Sequence, residues 1–216
     1  GSDYPFAQFF FNPNAKFIQV DIDSSKLGKR HHTDLAILAD VQSTLQKLIA
    51  VGTQQPETAW YQANIKNNQN WKQWVTKMGE LDTNPLRIEP VFNEINRIAQ
   101  DDAIFAVDVG NVTIEGVRFL EMNPNQSFTT SGWFATMGYA LPAAIGGQVS
   151  YPNRQVFSIS GDGGFGMVEQ DIITQVKYNL PIINVVLSNE TFGFIKAEQD
   201  DTGQSHYGVY IADADF

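Results

Sequence analysis

The sequence predicts an α/β fold, in which a parallel β-sheet carries helices on both faces. Three segments, at residues 103–110, 155–160 and 181–188, have the length and pattern of strands. Segments with helical or small-residue patterns lie before and between them, at residues 90–98, 134–147 and 167–178. Strands and helices that alternate over short links imply right-handed βαβ units on a parallel sheet.

The first 80 residues predict a separate part of the protein. Residues 17–23 and 35–40 have the pattern of buried strands that end in acidic residues, and apolar spacing predicts a helix over 41–50. Glycine, glutamine and proline at 51–58 indicate a linker. Residues 59–81 place tryptophans among polar residues, which predicts one or two helices that pack against a neighbour.

The composition excludes several classes of function. Aspartate and glutamate total 24 against 14 lysines and arginines, which gives a formal net charge of -10. We expect neither a nucleic acid nor a membrane as partner, because both require clustered basic side chains. The absence of cysteine excludes a disulfide framework and a thiolate nucleophile. No apolar run reaches the ~18–20 residues of a membrane span, and we expect a cytoplasmic protein.

Both ends of the chain are unusual for a complete domain. An apolar stretch at residues 5–11 follows the first residues directly, and the chain stops at Phe216 without a closing strand or helix. The first residues also lack the basic and apolar regions of a signal peptide. We therefore expect a piece of a longer protein, with its last domain truncated at the C-terminus.

A glycine-rich turn follows the second predicted strand of the sheet. It contains Asp162, with Gly161 before it and Gly163 and Gly164 after it, and Asn189 lies at the end of the next predicted strand. Ligands of open α/β sheets bind beyond the carboxyl ends of the strands, so both side chains reach one point if the strands are neighbours. Glycines let the backbone approach a ligand closely.

These oxygen donors predict a site for Mg²⁺ and a diphosphate. The carboxylate of Asp162, the amide oxygen of Asn189, a backbone carbonyl near Thr191 and two diphosphate oxygens nearly complete the octahedral shell that Mg²⁺ prefers. A helix expected to begin near Gly166 would direct free N–H groups at the same point. The alternative is an ordinary glycine-rich turn whose aspartate has no special role.

The motif resembles a known signature. Gly161-Asp162-Gly163, 25 intervening residues and Asn189 are similar to the signature of thiamine diphosphate (ThDP) dependent enzymes. Other segments resemble the pyruvate oxidase branch of that family, at residues 20–31, 135–138, 151–156, 174–176, 180–186 and 193–199.

The resemblance implies a division into domains. Family members have three α/β domains, which bind the aminopyrimidine of ThDP, FAD and the diphosphate of ThDP in that order. By this match, residues 1–50 are the C-terminal part of a Rossmann-like FAD domain, and 51–80 form a linker with helices. Residues 81–216 are the domain that binds Mg²⁺ and the diphosphate.

The resemblance also implies roles for single residues. Mg²⁺ would be bound by the side chains of Asp162 and Asn189 and the carbonyl of Thr191. Residues that line the diphosphate and thiazolium would be Gly110, Asn111, Ala135, Gly161, Gly163 and Gly164. Residues that contact the adenosine half of FAD would be Asp21, Ile22, Asp40 and Val41.

Three further side chains have two readings each. Met137 is most simply a core residue, whereas the resemblance makes it the apolar wedge that holds ThDP folded. Phe194 and Glu198 are four residues apart and share one helix face. They are either a core aromatic and a solvated acid or, by the resemblance, catalytic residues at the substrate and flavin side.

The implied reaction is the oxidative decarboxylation of pyruvate with phosphate and O₂ to acetyl phosphate, CO₂ and H₂O₂. It requires ThDP, Mg²⁺ and FAD in a homo-oligomer, which is a tetramer in the family. The family's catalytic glutamate lies in the N-terminal domain, and no residue here replaces it. The alternatives are an acetolactate synthase-like enzyme with a non-redox outcome, a catalytically inactive binding module and an inert remnant.

Overall fold

The computed structural model describes residues 11–212, 214 and 216. The chain divides into two units, Gly1–Ala63 and Asn64–Phe216. The apolar stretch at 5–11, which suggested a piece of a longer protein, lies outside the described residues except for Phe11.

The first unit contains two short parallel strands and a helix. β1 (Ile18–Asp21) pairs with β2 (Leu35–Leu38). The side chain of Asp40 accepts a hydrogen bond of 2.8 Å from the N–H of Ser43 and thereby caps α1 (Val41–Val51). Both strands and the helix are confirmed, although the strands are shorter than predicted. The predicted burial of the strands is wrong for the described residues: Ile18, Leu35 and Leu38 are more than half exposed, because little of the described chain packs on this two-stranded sheet.

A 3-10 turn, Ser24–Lys26, lies between β1 and β2. Residues 52–58 contain no helix or strand, as expected of a linker. The next element is a single helix, α2 (Ala59–Gly79), where one or two were predicted.

The second unit contains a four-stranded parallel sheet. Its strands are β3 (Ile104–Val107), β4 (Ser127–Thr129), β5 (Val156–Gly161) and β6 (Ile182–Leu187). They pair in parallel in the order β4–β3–β5–β6. The predicted parallel sheet is confirmed, and β5 and β6 are neighbours. β4 was not predicted, because three residues are too few to show a periodic pattern.

Helices connect the strands. They are α3 (Ile88–Ile98), α4 (Asn111–Phe119), α5 (Ala140–Ser150), α6 (Asp162–Gly166), α7 (Ile172–Lys177) and α8 (Gly193–Asp201). A 3-10 turn, Glu169–Asp171, lies between α6 and α7.

The two faces of the sheet have separate apolar cores. On one face, alternate residues of β3 and β5 pack with α3 and α4; the buried side chains are Phe92, Ile95, Ala103, Phe105, Val107, Val112, Phe119, Phe157 and Ile159. On the other face, Ile104, Ala106 and Val156 pack with Ala144 of α5. Both faces of the sheet are thus covered, and the strands are rich in apolar residues, although β5 also buries Ser158 and Ser160.

The helix predicted over 134–147 begins later, at Ala140. Residues before it form a turn, in which Ala135 has a φ of 50° and Gly138 a φ of 76°. A right-handed helix cannot contain positive φ angles, so the predicted start was wrong. Small side chains fit both a closely packed helix and a turn, which is why the composition did not distinguish them.

The helix predicted over 167–178 is also wrong in its first half. The first helical turn, α6, begins at Asp162 and not near Gly166. Val168 then interrupts the helix with a φ of -137°, and a regular helix resumes only at Ile172. α4 was not predicted, because valine, threonine and glycine in its sequence have low helix propensity.

Replacement of a core aromatic should show how far stability depends on the sheet. Phe157 is fully buried and its ring stacks on Phe105 at 5.3 Å between centroids. Phe157→Ala should lower the free energy of unfolding by about 3–5 kcal/mol, measured by urea denaturation. As a control, Ile173→Ala should change it by less than about 0.5 kcal/mol, because Ile173 is 72% exposed. Equal losses in both variants would contradict the assigned core.

Candidate functional site

A cleft of about 670 Å³ lies in the second unit, at the carboxyl ends of β3, β5 and β6. This is where an open α/β sheet binds its ligands. Most of the residues predicted to form the site line it: Gly110, Asn111, Ala135, Met137, Gly161, Asp162, Gly163, Gly164, Asn189, Thr191 and Phe194. The fold therefore brings together segments that are up to 84 positions apart in the chain, from 110 to 194.

Asp162 organises the centre of the cleft. Its side chain is buried, and Oδ1 accepts a hydrogen bond of 2.8 Å from the N–H of Gly163. Oδ2 accepts three more, from the Ser188 hydroxyl at 3.2 Å and from the N–H groups of Asn189 at 3.0 Å and Glu190 at 2.6 Å. The carboxylate thus ties the end of β5 to the loop after β6.

That loop is also held from its other side. The amide oxygen of Asn189 accepts a hydrogen bond of 3.1 Å from the N–H of Thr191. Thr191 forms an antiparallel bridge with Tyr210, and the N–H of Phe192 donates to the carbonyl of Val209 at 2.8 Å. Val209 is fully buried, so the segment after α8 fixes the loop in place.

Two glycines permit close contacts inside the cleft. A Cβ atom on Gly163 would collide with the ring of Phe192 and lie 2.9 Å from the Ile211 side chain. A Cβ atom on Gly193 would collide with the side-chain amide of Asn111. Glycine at these positions lets the starts of α6 and α8 approach their neighbours, which a larger residue would prevent.

The turn before α5 forms another wall. Met137 lines the cleft and is half-buried, so it does not belong to the apolar core. The N–H groups of Gly138 and Tyr139 donate to Oδ1 of Asp108 at 2.9 and 3.3 Å. The turn is therefore fixed to the end of β3 through a side chain that itself does not line the cleft.

Two family descriptions match the chain. Residues 108–216 match the thiamine pyrophosphate enzyme C-terminal TPP binding domain, and residues 2–48 match the central domain of the same enzymes. The chain belongs to the thiamine pyrophosphate enzyme family. The cleft lies largely within the matched C-terminal domain, and the first unit contains the matched part of the central domain.

Individual family members give a finer comparison. The chain is 45% identical over its whole length to pyruvate oxidase of Lactiplantibacillus plantarum, of which it covers 36%. It is 36% identical over its whole length to a thiamine pyrophosphate-containing protein of Bacillus subtilis, of which it covers 38%. Over 88% of its length it is 33% identical to acetolactate synthase isozyme 1 large subunit of Escherichia coli, of which it covers 33%. The chain therefore spans roughly a third of the length of these curated relatives.

The donor atoms in the cleft suit a hard cation. Among the described residues, no group of three His, Cys, Asp or Glu side chains could hold a metal ion. A cation here would therefore depend on the Asp162 carboxylate with amide and carbonyl oxygens. Asp162 Oδ1 and Asn189 Oδ1 each accept a single hydrogen bond, so each keeps a free lone pair. Oxygen donors of this kind are those that Mg²⁺ prefers.

The two predicted catalytic residues lie on α8, as their spacing indicated. Phe194 lines the cleft and is 45% exposed. Glu198 is exposed one turn further along the helix and lies beyond the residues that line the cleft. Both side chains are therefore exposed enough to contact a ligand, and their catalytic role stays a prediction.

The four residues predicted to contact FAD lie in the first unit. Asp21 ends β1, Ile22 follows it and is 79% exposed, and Asp40 and Val41 begin α1. The hydrogen bond from the backbone N–H of Ser43 lowers the pKa of the Asp40 carboxyl below its usual value. Because β1 and β2 pair in parallel, these residues lie at neighbouring strand ends, and their contact with FAD stays a prediction.

The charged groups at the cleft are few. Among the described residues that line it, Arg87 is the only basic side chain, and it forms an ion pair of 2.7 Å with Glu89. Glu115 also lines the cleft, and burial raises the pKa of its carboxyl. The cleft thus carries little positive charge of its own.

The sequence analysis did not identify Asp108, nor the residues that contact the glycine turn, such as Ser188 and Phe192. Asp108 is fully buried and contacts the turn that carries Met137. Its position after an apolar run and before Gly110 was the only available signal, and that position does not reveal burial.

Among the described residues, no helix combines the length and the apolar composition that crossing a bilayer requires.

A single methyl group should disturb the glycine turn. Gly163→Ala should lower the free energy of unfolding by about 1–3 kcal/mol, because the new Cβ overlaps the Phe192 ring in a packed region. Gly166→Ala is the matched control in the same short helix, since a Cβ there meets nothing within 4 Å. Urea denaturation measures both. Equal unfolding midpoints for the two variants would contradict this prediction, because they would show that the turn shifts to make room for the methyl group.

Proposed function

We propose that this chain is part of a longer ThDP- and FAD-dependent pyruvate oxidase and supplies its Mg²⁺–diphosphate site. The reaction is the oxidative decarboxylation of pyruvate with phosphate and O₂ to acetyl phosphate, CO₂ and H₂O₂. The observation that carries this proposal is the 45% identity to a pyruvate oxidase over the whole chain. The oxygen donors around Asp162 agree with the cofactor that the family name implies.

The proposed domains follow the same comparison. Residues 1–50 would be the tail of the FAD domain, 51–80 a linker with helices, and 81–216 the ThDP diphosphate domain. The match of residues 2–48 to the central domain and of 108–216 to the C-terminal domain supports this division. We assign the assembly as a homo-oligomer.

In this proposal, Mg²⁺ binds the side chains of Asp162 and Asn189 and the carbonyl of Thr191. The backbone at Gly110, Asn111, Ala135 and the glycines of the 161–164 turn accommodates the diphosphate and thiazolium. Bound ThDP supplies the carbon nucleophile for the keto group of pyruvate, and FAD accepts the electrons.

Met137 supports the cofactor from the turn before α5. Removal of a proton from the thiazolium requires the two rings of one cofactor to be held in a reactive geometry, and an apolar side chain at this wall provides that support. Phe194 and Glu198 extend the site along α8 toward pyruvate and flavin. The adenosine half of FAD would contact Asp21, Ile22, Asp40 and Val41.

A second candidate function is that of an acetolactate synthase, in which no net oxidation occurs. The 33% identity to acetolactate synthase isozyme 1 large subunit favours it. The lower identity makes this the weaker assignment, and flavin reduction distinguishes the two.

Anaerobic addition of pyruvate to the full-length protein that contains this chain should bleach its flavin absorbance. The electrons from decarboxylation have no other acceptor once O₂ is removed. Asp162→Ala in the same protein should need at least about tenfold more Mg²⁺ for the same bleaching, because it removes the carboxylate ligand. A wild-type flavin that stays oxidised while acetolactate forms would contradict the oxidase assignment.

The isolated 216-residue chain should form no hydrogen peroxide from pyruvate, even with ThDP, Mg²⁺ and FAD added. The resemblance places the glutamate that activates the aminopyrimidine in another domain. A peroxidase-coupled assay measures this, with the full-length protein as positive control. Measurable pyruvate-dependent peroxide from the isolated chain would refute the division of the site between domains.

A further inference from the structure

We propose that Asp108 is a positioning residue for ThDP, which fixes the Met137 turn against the glycine turn after β5. This inference rests on the proposed function. Asp108 does not line the cleft, so it acts on the cofactor through the residues in front of it.

The backbone of Asp108 is fixed by two neighbours. Its N–H donates to the carbonyl of Ile159 on β5 at 2.9 Å. Its carbonyl accepts a hydrogen bond of 2.5 Å from the hydroxyl of Thr113 in α4. The residue is fully buried, so the direction in which its side chain leaves the sheet is determined by β5 and α4.

One carboxylate oxygen gathers three backbone N–H groups. Oδ1 accepts from Val109 at 2.7 Å, from Gly138 at 2.9 Å and from Tyr139 at 3.3 Å. Gly138 and Tyr139 directly follow Met137 in the chain. Because hydrogen bonds to a carboxylate are among the strong ones, Oδ1 determines where this turn lies.

The other oxygen faces the glycine turn. In the described part of the chain, Oδ2 is buried and accepts no hydrogen bond. A Cβ atom on Gly164 would lie 2.9 Å from Oδ2 and 3.0 Å from the carboxyl carbon, so the carboxyl group packs directly on this glycine. A buried acceptor without a donor costs stability, and its presence in a native structure calls for an explanation.

The carboxyl group therefore separates and aligns two walls of one cleft. Met137 lies on the wall that Oδ1 fixes, and Gly164 lies on the wall that Oδ2 contacts. Under the proposed function, ThDP would contact both walls at once, with its rings at Met137 and its diphosphate at the glycine turn. Inorganic diphosphate needs only the glycine turn and the cation ligands, so the two ligands respond differently when Asp108 is changed.

The test measures both ligands on the full-length protein by isothermal titration calorimetry in excess Mg²⁺. Asp108→Ala should raise the Kd for ThDP at least tenfold and the Kd for inorganic diphosphate less than threefold. Asp108→Asn retains an acceptor at the Oδ1 position and should stay within about threefold of wild type for both ligands. Ser158→Ala is the control for loss of a buried polar group: its hydroxyl is buried, has no partner among the described residues and should leave both affinities unchanged.

Equal losses for both ligands in Asp108→Ala, or equal losses of ThDP in Asp108→Asn and Asp108→Ala, would overturn the proposal. If Asp108→Ala does not fold, Asp108→Ser replaces it. The serine hydroxyl lies about one bond further from the N–H of Gly138 than Oδ1 does, so we expect the same larger loss of affinity for ThDP than for inorganic diphosphate. A wild-type protein that does not bind ThDP would overturn the proposed function and this inference together. Normal ThDP binding by both wild type and Asp108→Ala would overturn this inference alone.

Discussion

The parallel pairing of β5 with β6 is the constraint on which the site depends. Its register places Gly161 opposite Leu187, so Asp162 and Ser188 leave the sheet side by side. Only then can one carboxylate accept hydrogen bonds from three consecutive residues of the next loop. A slip of one residue would turn the side chains to the other face of the sheet. The two apolar cores that resist such a slip therefore also maintain the site.

The same arrangement, a buried aspartate directly after a strand, occurs on two adjacent strands. Asp108 follows the last residue of β3 and Asp162 follows the last residue of β5, and both are buried. Each accepts backbone N–H groups from a turn that is distant in sequence, about 30 residues away in one case and 27 in the other. An ionised carboxylate is only an acceptor, so it suits turns whose N–H groups are not used in a helix or a sheet. The walls of the cleft are thus shaped by acids whose side chains are anchored to the sheet.

The parts of this arrangement that could be predicted are those with a local pattern. The strands at 104–107, 156–161 and 182–187 were recognisable because strands that are buried on both faces are rich in apolar residues. Asp162 and Asn189 were recognisable because each follows such a strand. The start of α5 could not be predicted, since small side chains fit both a helix and the turn that Ala135 and Gly138 form with positive φ angles. The role of Asp108 could not be predicted from the sequence either, since its burial results from packing with β5, α4 and Gly164.

The charge of the cleft determines how it can bind an anion. The chain has a net charge of -10, and the one basic side chain among the described lining residues, Arg87, is already paired with Glu89. A diphosphate in this cleft would meet the carboxylate of Asp162 rather than a cluster of lysines and arginines. Two anionic groups at close range repel each other unless a cation lies between them. Backbone N–H groups can add to the attraction but carry only partial charge. A diphosphate bound here would therefore need a cation between the two anionic groups, and the carboxylate of Asp162 would attract that cation.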